Sequence, residues 1–178
     1  MNRLAAVCRQ AGILVVHTAH VLRPDGSDTG VLGELIPAIP EEGFLYDGTR
    51  DAALHAGLVV DSEDVVIKKP RFGAFHATEL ELVLRERGID TIIVSGISTD
   101  VCCDTTAREA NSRDFRVLFL SDGTAVNDDP EPAAAQQRAT LGVIDGLFGQ
   151  VVTIDEVLRK IRASAPQAQE PAPDQALS

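Results

Sequence analysis

The chain has no tryptophan and one tyrosine, and aromatic residues make up only 4% of its 178 positions. Its core must therefore be built mainly from aliphatic side chains. Basic residues are in the minority, 16 against 27 acidic ones, which leaves a net charge of −11. Nucleic-acid binding needs basic patches, so no nucleic-acid partner is expected. No apolar run reaches the roughly 20 residues needed to cross a bilayer, so no membrane partner is expected either. The first residues lack the apolar stretch of a secretory signal. Cysteine is scarce: Cys8, Cys102 and Cys103. An odd count with two adjacent residues is no disulfide framework, and a reducing, cytoplasmic setting is expected. The adjacent pair also lacks the two-residue gap of zinc motifs. No internal repeat is present.

What is there is an ordinary globular composition, 44% hydrophobic and 24% charged. Residues 1–162 read as one domain, and residues 163–178, rich in Ala, Pro and Gln, as a disordered tail. Short apolar runs alternate with helical patterns. Strands are expected at 13–17, 65–67, 91–94, 115–120 and 151–154, with another possible within 54–60. Helices are expected at 4–10, 76–87, 105–112, 130–148 and 156–161, the last capped by Asp155. This alternation is that of an α/β fold with a parallel sheet covered by helices on both faces. Residues 21–64 are long and weakly patterned, punctuated by Pro37, Pro40, Gly43, Gly48 and Gly57. Such a segment in a compact domain is usually functional, and it is expected to cover the ligand crevice.

The most informative stretch runs from Thr91 to Ala107. Its apolar start is a strand, Ser95-Gly96 breaks it, and Cys102 and Cys103 stand where the strand hands over to a helix. Ligands of open α/β sheets bind beyond the carboxyl ends of the strands. A thiol at a helix N-terminus sits at the positive end of the helix dipole, which favours thiolate. The competing reading is a buried, inert cysteine, which is what most cysteines are.

Two further groups end on the same edge. Lys68 and Lys69 close the 65–67 strand, and because adjacent strand residues point oppositely, only one can face the crevice. Taken alone, two solvated lysines are the commoner outcome. One β-α-β crossover joins Lys69 to Cys102, however, which brings them within plausible reach of each other. His17 and His20 end the first strand. Three residues apart on an extended chain, their rings lie on opposite faces, so a pocket wall or structural role is expected and no metal.

Gly96-Ile97-Ser98-Thr99-Asp100-Val101-Cys102, followed by Thr106-Ala107-Arg108-Glu109-Ala110, together with Lys69-Pro70-Arg71-Phe72 through Phe75, resembles the isochorismatase-like cysteine hydrolases. That family includes isochorismatases, nicotinamidases, N-carbamoylsarcosine amidases and ureidoacrylate amidohydrolases. The resemblance covers about residues 4–161. It implies a three-layer α-β-α fold, Cys102 as nucleophile and Lys69 as catalytic lysine. It also implies a cis peptide between Ile97 and Ser98, and an oxyanion hole from the amides of Ser98 and Cys102. Phe75, His17 and Arg71 would belong to the substrate pocket. No cofactor is implied; a small-molecule substrate and a homo-oligomer are.

The chain departs from the family in one respect. The family's triad includes an Asp at the end of a first strand, and no Asp precedes Cys8. The expectation is a sheet lacking one central strand, with a groove in its place, and a full-length gene product that carries the Asp. Two functions follow. One is a hydrolase of an amide, carbamoyl or ureido C–N bond, acting through an acyl-enzyme. The other is a degenerate, non-catalytic relative serving as a binding or oligomerisation module.

Overall fold

Two separate parallel sheets organise residues 1–164, the part of the chain that the computed structural model describes. In the first, β1 (Val16–His20) pairs with β2 (Val65–Lys69) in register from Val16 opposite Val65 to His20 opposite Lys69. In the second, β3 (Thr91–Ile97), β4 (Arg116–Ala125) and β5 (Gln150–Val152) lie side by side in that order. All pairings are parallel. Parallel neighbours need crossovers, and α2 (Leu32–Leu35), α3 (Ala38–Glu42), α4 (Leu80–Glu86), α5 (Asp104–Asn111) and α6 (Pro130–Ile144) lie in them, while α1 (Asn2–Gln10) precedes the first strand and α7 (Ile154–Ser164) follows the last.

The central parts of β3 and β4 are apolar because each faces two cores. Along β3 and β4, Val94, Val117 and Phe119 enter a cluster with Ile67, Leu80, Leu84, Ala107 and Ala110. Their alternating neighbours Ile93, Leu118 and Leu120 enter a second cluster with Leu4, Cys8, Val157 and Leu158 of α1 and α7. The result is the layered α-β-α arrangement read from the sequence. A third cluster, around Leu22, Leu32 and Ile39, gives the long 21–64 segment its own small core.

Between β1 and β3 lies a cavity of about 910 Å³. Consecutive residues of both strands line it, Val16 to Thr18 on one side and Thr91 to Ile97 on the other. Side chains alternate in direction along a strand, so an unbroken run of lining residues means that strand edges look into this slot. Leu4 and Cys8 border it from one helical layer, and Leu80 and Leu84 from the other.

Several elements differ from expectation in their limits. β1 starts at Val16 rather than residue 13 and continues through Thr18 to His20, because its partner β2 extends to Lys69. α4 begins at Leu80, not residue 76, because Ala77 takes a positive φ of 54° that no helix accommodates. α6 stops at Ile144, where Gly146 turns back with φ 77°. No strand forms at 54–60, which is irregular with a turn at 56–57. The last helix starts with a capping box of Thr153 and Glu156, each side chain accepting the other's backbone N–H at 3.2 and 2.7 Å, rather than with Asp155. Asp155 instead pairs with Arg3 of α1. α7 also runs through Ala163 and Ser164, into the segment expected as tail. The rest of that expected tail, 165–178, lies outside the described residues. No helix among the described residues is long and apolar enough to cross a membrane.

Candidate active site

Alternation along β2 separates the two lysines. Lys68 is exposed and pairs with Asp47 at 2.7 Å. Lys69 is 4% exposed and turns to the inner face beside Ile67. Its ammonium donates to the carbonyls of Arg71 and Phe72, each at 2.9 Å, and reaches Cys102 Sγ at 3.6 Å. Burial lowers the Lys69 pKa, and the neighbouring Cys102 opposes that shift.

Cys102 lies in a π-helical turn, Thr99–Cys103, that joins β3 to α5. The Ile97–Ser98 peptide at its entrance is cis. The Ser98 carbonyl accepts from the amides of Val101 and Cys103, on either side of Cys102. Ser98 Oγ donates to Asp100. Cys103 points the other way, into the core, and burial pushes its thiol up to about 12. All three cysteines are free.

The sequence reading missed what holds the two halves together. Thr106 Oγ1 donates to the Cys102 carbonyl at 2.7 Å and accepts from the Ala74 N–H at 3.1 Å. One turn on, the Glu109 carboxylate accepts from the Phe75 N–H at 2.9 Å. Glu109 fits because residue 73 is glycine: a Cβ there would lie 2.2 Å from its carboxylate oxygen. Two side chains of α5 thus clamp the 71–75 loop, whose carbonyls hold Lys69. Cys102, Thr106 and Glu109 have the i, i+4, i+7 spacing of one helix face, a signal already present in the sequence.

Neither Phe75 nor Arg71 is among the residues that line the slot between β1 and β3. Phe75 is not a wall of the cavity. It is buried in the core, 5.5 Å from the Phe115 ring, with the Arg113 guanidinium over its own ring at 5.3 Å. Its apolar ring is drawn inward because its own N–H is anchored to Glu109. Arg71 does not line the cavity either. Its guanidinium donates to the Asp28 carbonyl at 2.9 Å and packs against Gly30, so it straps the 23–30 turn to the end of β2.

The two histidines part as alternation requires. His17 borders the cavity, and its Nε2 lies 2.8 Å from Asp64. Asp64 also accepts from Arg9 Nε and Nη2 at 2.8 and 2.6 Å and from the Asp61 N–H at 2.9 Å. The Arg9 guanidinium beside it holds the Asp64 carboxyl well below the usual carboxylate range. This cluster pins α1 to the entrance of β2. His20 turns to the Lys69 face, edge-on to the Phe72 ring at 5.6 Å. Its Nε2 is buried without a hydrogen-bond partner. Burial first, then the Lys69 charge, lowers its pKa to about 4.

Comparison with known proteins follows the same line. The isochorismatase domain model matches residues 1–156. Nicotinamidase 3 of Arabidopsis thaliana is 31% identical over 157 residues, 87% of this chain and 74% of that protein. A ureidoacrylate amidohydrolase of Methylorubrum extorquens is 34% identical over 161 residues, 84% of this chain and 63% of the relative's length. The crystal structure of a cysteine hydrolase from Pseudomonas syringae pv. phaseolicola superposes with a TM-score of 0.85 at 38% identity, covering 90% of this chain and 78% of that one.

Proposed function

The chain belongs to the isochorismatase family, and from that premise we propose that it is a cysteine hydrolase acting on a C–N bond of a small amide, carbamoyl or ureido compound. The observation that carries this reading is the 3.6 Å contact between Lys69 Nζ and Cys102 Sγ at the cavity. The amide-cleaving relatives named above support the substrate class.

In this mechanism the Cys102 thiolate attacks the substrate carbonyl carbon and the C=O electrons move to oxygen. The backbone amides of Ser98 and Cys102 hold that oxyanion. On collapse, the C–N bond breaks, and the Lys69 ammonium passes its proton to the departing nitrogen. Ammonia or an amine leaves, and a thioester on Cys102 remains. Water then attacks the thioester, giving its proton to the now neutral Lys69 amine, and the carboxylic product leaves as the thiolate is restored. A desolvated lysine, with its pKa lowered, suits both proton steps.

A second reading, a non-catalytic binding or oligomerisation module, has one observation in its favour. Among the described residues, Lys69 has no carboxylate hydrogen-bond partner. Turnover separates the two. Ammonia release from a panel of small amides, carbamoyl and ureido compounds should be measurable with the wild type and abolished in Cys102→Ala. Retained turnover in that variant would sink the hydrolase reading, and no turnover by the wild type on any compound would favour the module.

A further inference from the structure

The bonds around Lys69 aim more than a charge at Cys102. An ammonium has three N–H donors, and here all three are committed. One goes to the Arg71 carbonyl and one to the Phe72 carbonyl, each at 2.9 Å, and the third to Cys102 Sγ at 3.6 Å. A carbonyl only accepts. When the group loses a proton, the two carbonyls keep the two remaining N–H bonds, and the lone pair takes the third direction, towards sulfur. The separation is already close to that of a near-attack pair, about 3–3.5 Å. Cys102 and Lys69 both border the cavity of about 910 Å³, which has room for a small oxidant.

We propose that a peroxide oxidises Cys102 to its sulfenic acid and that Lys69 Nζ then captures the sulfur as a sulfenamide, an S–N link that switches the site off reversibly. The link needs the Lys69–Cys102 pair and no turnover, so it goes beyond the hydrolase reading. In the first step the Cys102 thiolate attacks one peroxide oxygen and the O–O bond breaks. Sulfur gives up two electrons, and the departing hydroxide takes the Lys69 ammonium proton and leaves as water. In the second step the Nζ lone pair forms the S–N bond as the S–O bond breaks, and the hydroxide takes a proton from nitrogen and leaves as a second water. No further oxidant is consumed. A thiol reverses the link by attacking the sulfur and expelling the amine. Oxidation itself prepares the amine. Burial favours neutral Lys69, and the Cys102 charge and hydrogen bond are the largest effects opposing it. A neutral sulfenic acid removes that charge and leaves burial to act.

The competing nucleophiles are held away. The Cys103 amide, the nitrogen next along the chain, could close a cyclic sulfenamide, but it donates to the Ser98 carbonyl at 3.1 Å. The Cys103 thiol is buried in the core, which pushes it up to about 12. Cys8, bordering the slot from α1, is buried too, and burial pushes its thiol up. Neither thiol supplies much thiolate at neutral pH, so neither readily forms a disulfide with Cys102.

The test treats the full chain with hydrogen peroxide at neutral pH, digests it without reductant and maps the peptides by mass spectrometry. A cross-linked peptide containing both Lys69 and Cys102 is expected, lighter by two hydrogens than its parts. Dithiothreitol should abolish it and regenerate the Cys102 thiol. Lys69→Arg keeps a cation beside the sulfur, but a guanidinium stays protonated and offers no lone pair. In that variant the link should be absent and recovery by dithiothreitol lost, as Cys102 proceeds to sulfinic acid. Full recovery in Lys69→Arg overturns the proposal. So does a wild-type Cys102 that is unmodified, present as sulfinic acid, or in a disulfide with Cys8 or Cys103, without the Lys69 link. A link that retains an oxygen overturns it as well. The wild-type outcomes decide even where the variant does not fold. Ammonia release from the amide panel tests the hydrolase reading separately, because neither result depends on the other.

Discussion

Thr106 and Ala74 are joined by a 3.1 Å hydrogen bond, and through it the helix that follows Cys102 fixes the loop that follows Lys69. The same hydroxyl holds the Cys102 carbonyl, so a single oxygen ties the nucleophile's backbone to the lysine's support. Glu109 makes the second tie, to Phe75. The Lys69–Cys102 separation is thus set by side chains that touch neither group's reacting atom.

Replacing Thr106 with Val should lower turnover by about tenfold, with KM little changed, because a small displacement of Lys69 affects proton transfer more than binding. Glu109→Gln keeps an acceptor for the Phe75 N–H and should fall between wild type and Thr106→Val. Steady-state kinetics on an accepted amide would decide. A Thr106→Val enzyme with a changed KM and an unchanged kcat would place the residue in binding instead.

Lys69→Met preserves most of the side-chain volume while removing the charge. It should slow alkylation of Cys102 at pH 7 by about tenfold or more, the effect of losing a neighbouring cation on a thiolate. Cys103, buried and with its thiol held near 12, should remain unmodified in both proteins. Mass-spectrometric time courses with iodoacetamide measure both sites at once. An unchanged Cys102 rate would detach Lys69 from the nucleophile.

Acid should destabilise the fold in two stages. His20 has a folded-state pKa of about 4 against an ordinary value near 6.5, so between those values the unfolded chain binds the proton that the folded chain refuses. Stability therefore falls as pH drops from about 6.5 towards 4. Asp64 is also depressed, so its contribution is present above the ordinary carboxylate range and is lost only at more acidic pH. Urea denaturation across pH 3 to 8 should show the upper stage flattened in His20→Gln. Asp64→Asn, which leaves Arg9 and His17 without their shared partner, should lower stability most at neutral pH, with the gap closing at low pH. Parallel curves for either variant and the wild type would contradict the assignment.

The slot between β1 and β3 makes a prediction of its own. Among the described residues, backbone N–H groups on strand edges that face it lack ladder partners, whereas β4 is paired on both sides. Hydrogen exchange should therefore be faster for the slot-facing amides of β1 and β3 than for those of β4. Equal protection would mean that the slot is filled in solution.

The fold class was legible because it depends on local pattern. Apolar runs of strand length, set between helical stretches, already specify parallel strands buried on both faces, and Thr91 to Val94 reads so without any neighbour. Element limits were less legible. Thr18 to His20 are not strand-like by composition, and they join β1 only because β2 continues beside them to Lys69. Ala77, whose positive φ delays α4, carries no sequence mark of that conformation.

The site divides along the same line. By sequence alone, Cys102 stands at a strand-to-helix junction, only one of Lys68 and Lys69 can face inward, and His17 and His20 must diverge. These follow from the fixed periodicities of strand and helix, which the chain cannot escape. Only the tertiary structure decided that Phe75 enters the core, that Arg71 straps a loop rather than facing a ligand, and that Asp64 gathers Arg9 and His17 across 55 and 47 positions of sequence. Such outcomes turn on which distant backbone and side-chain groups compete for the same partner, and that competition exists only once the elements are packed.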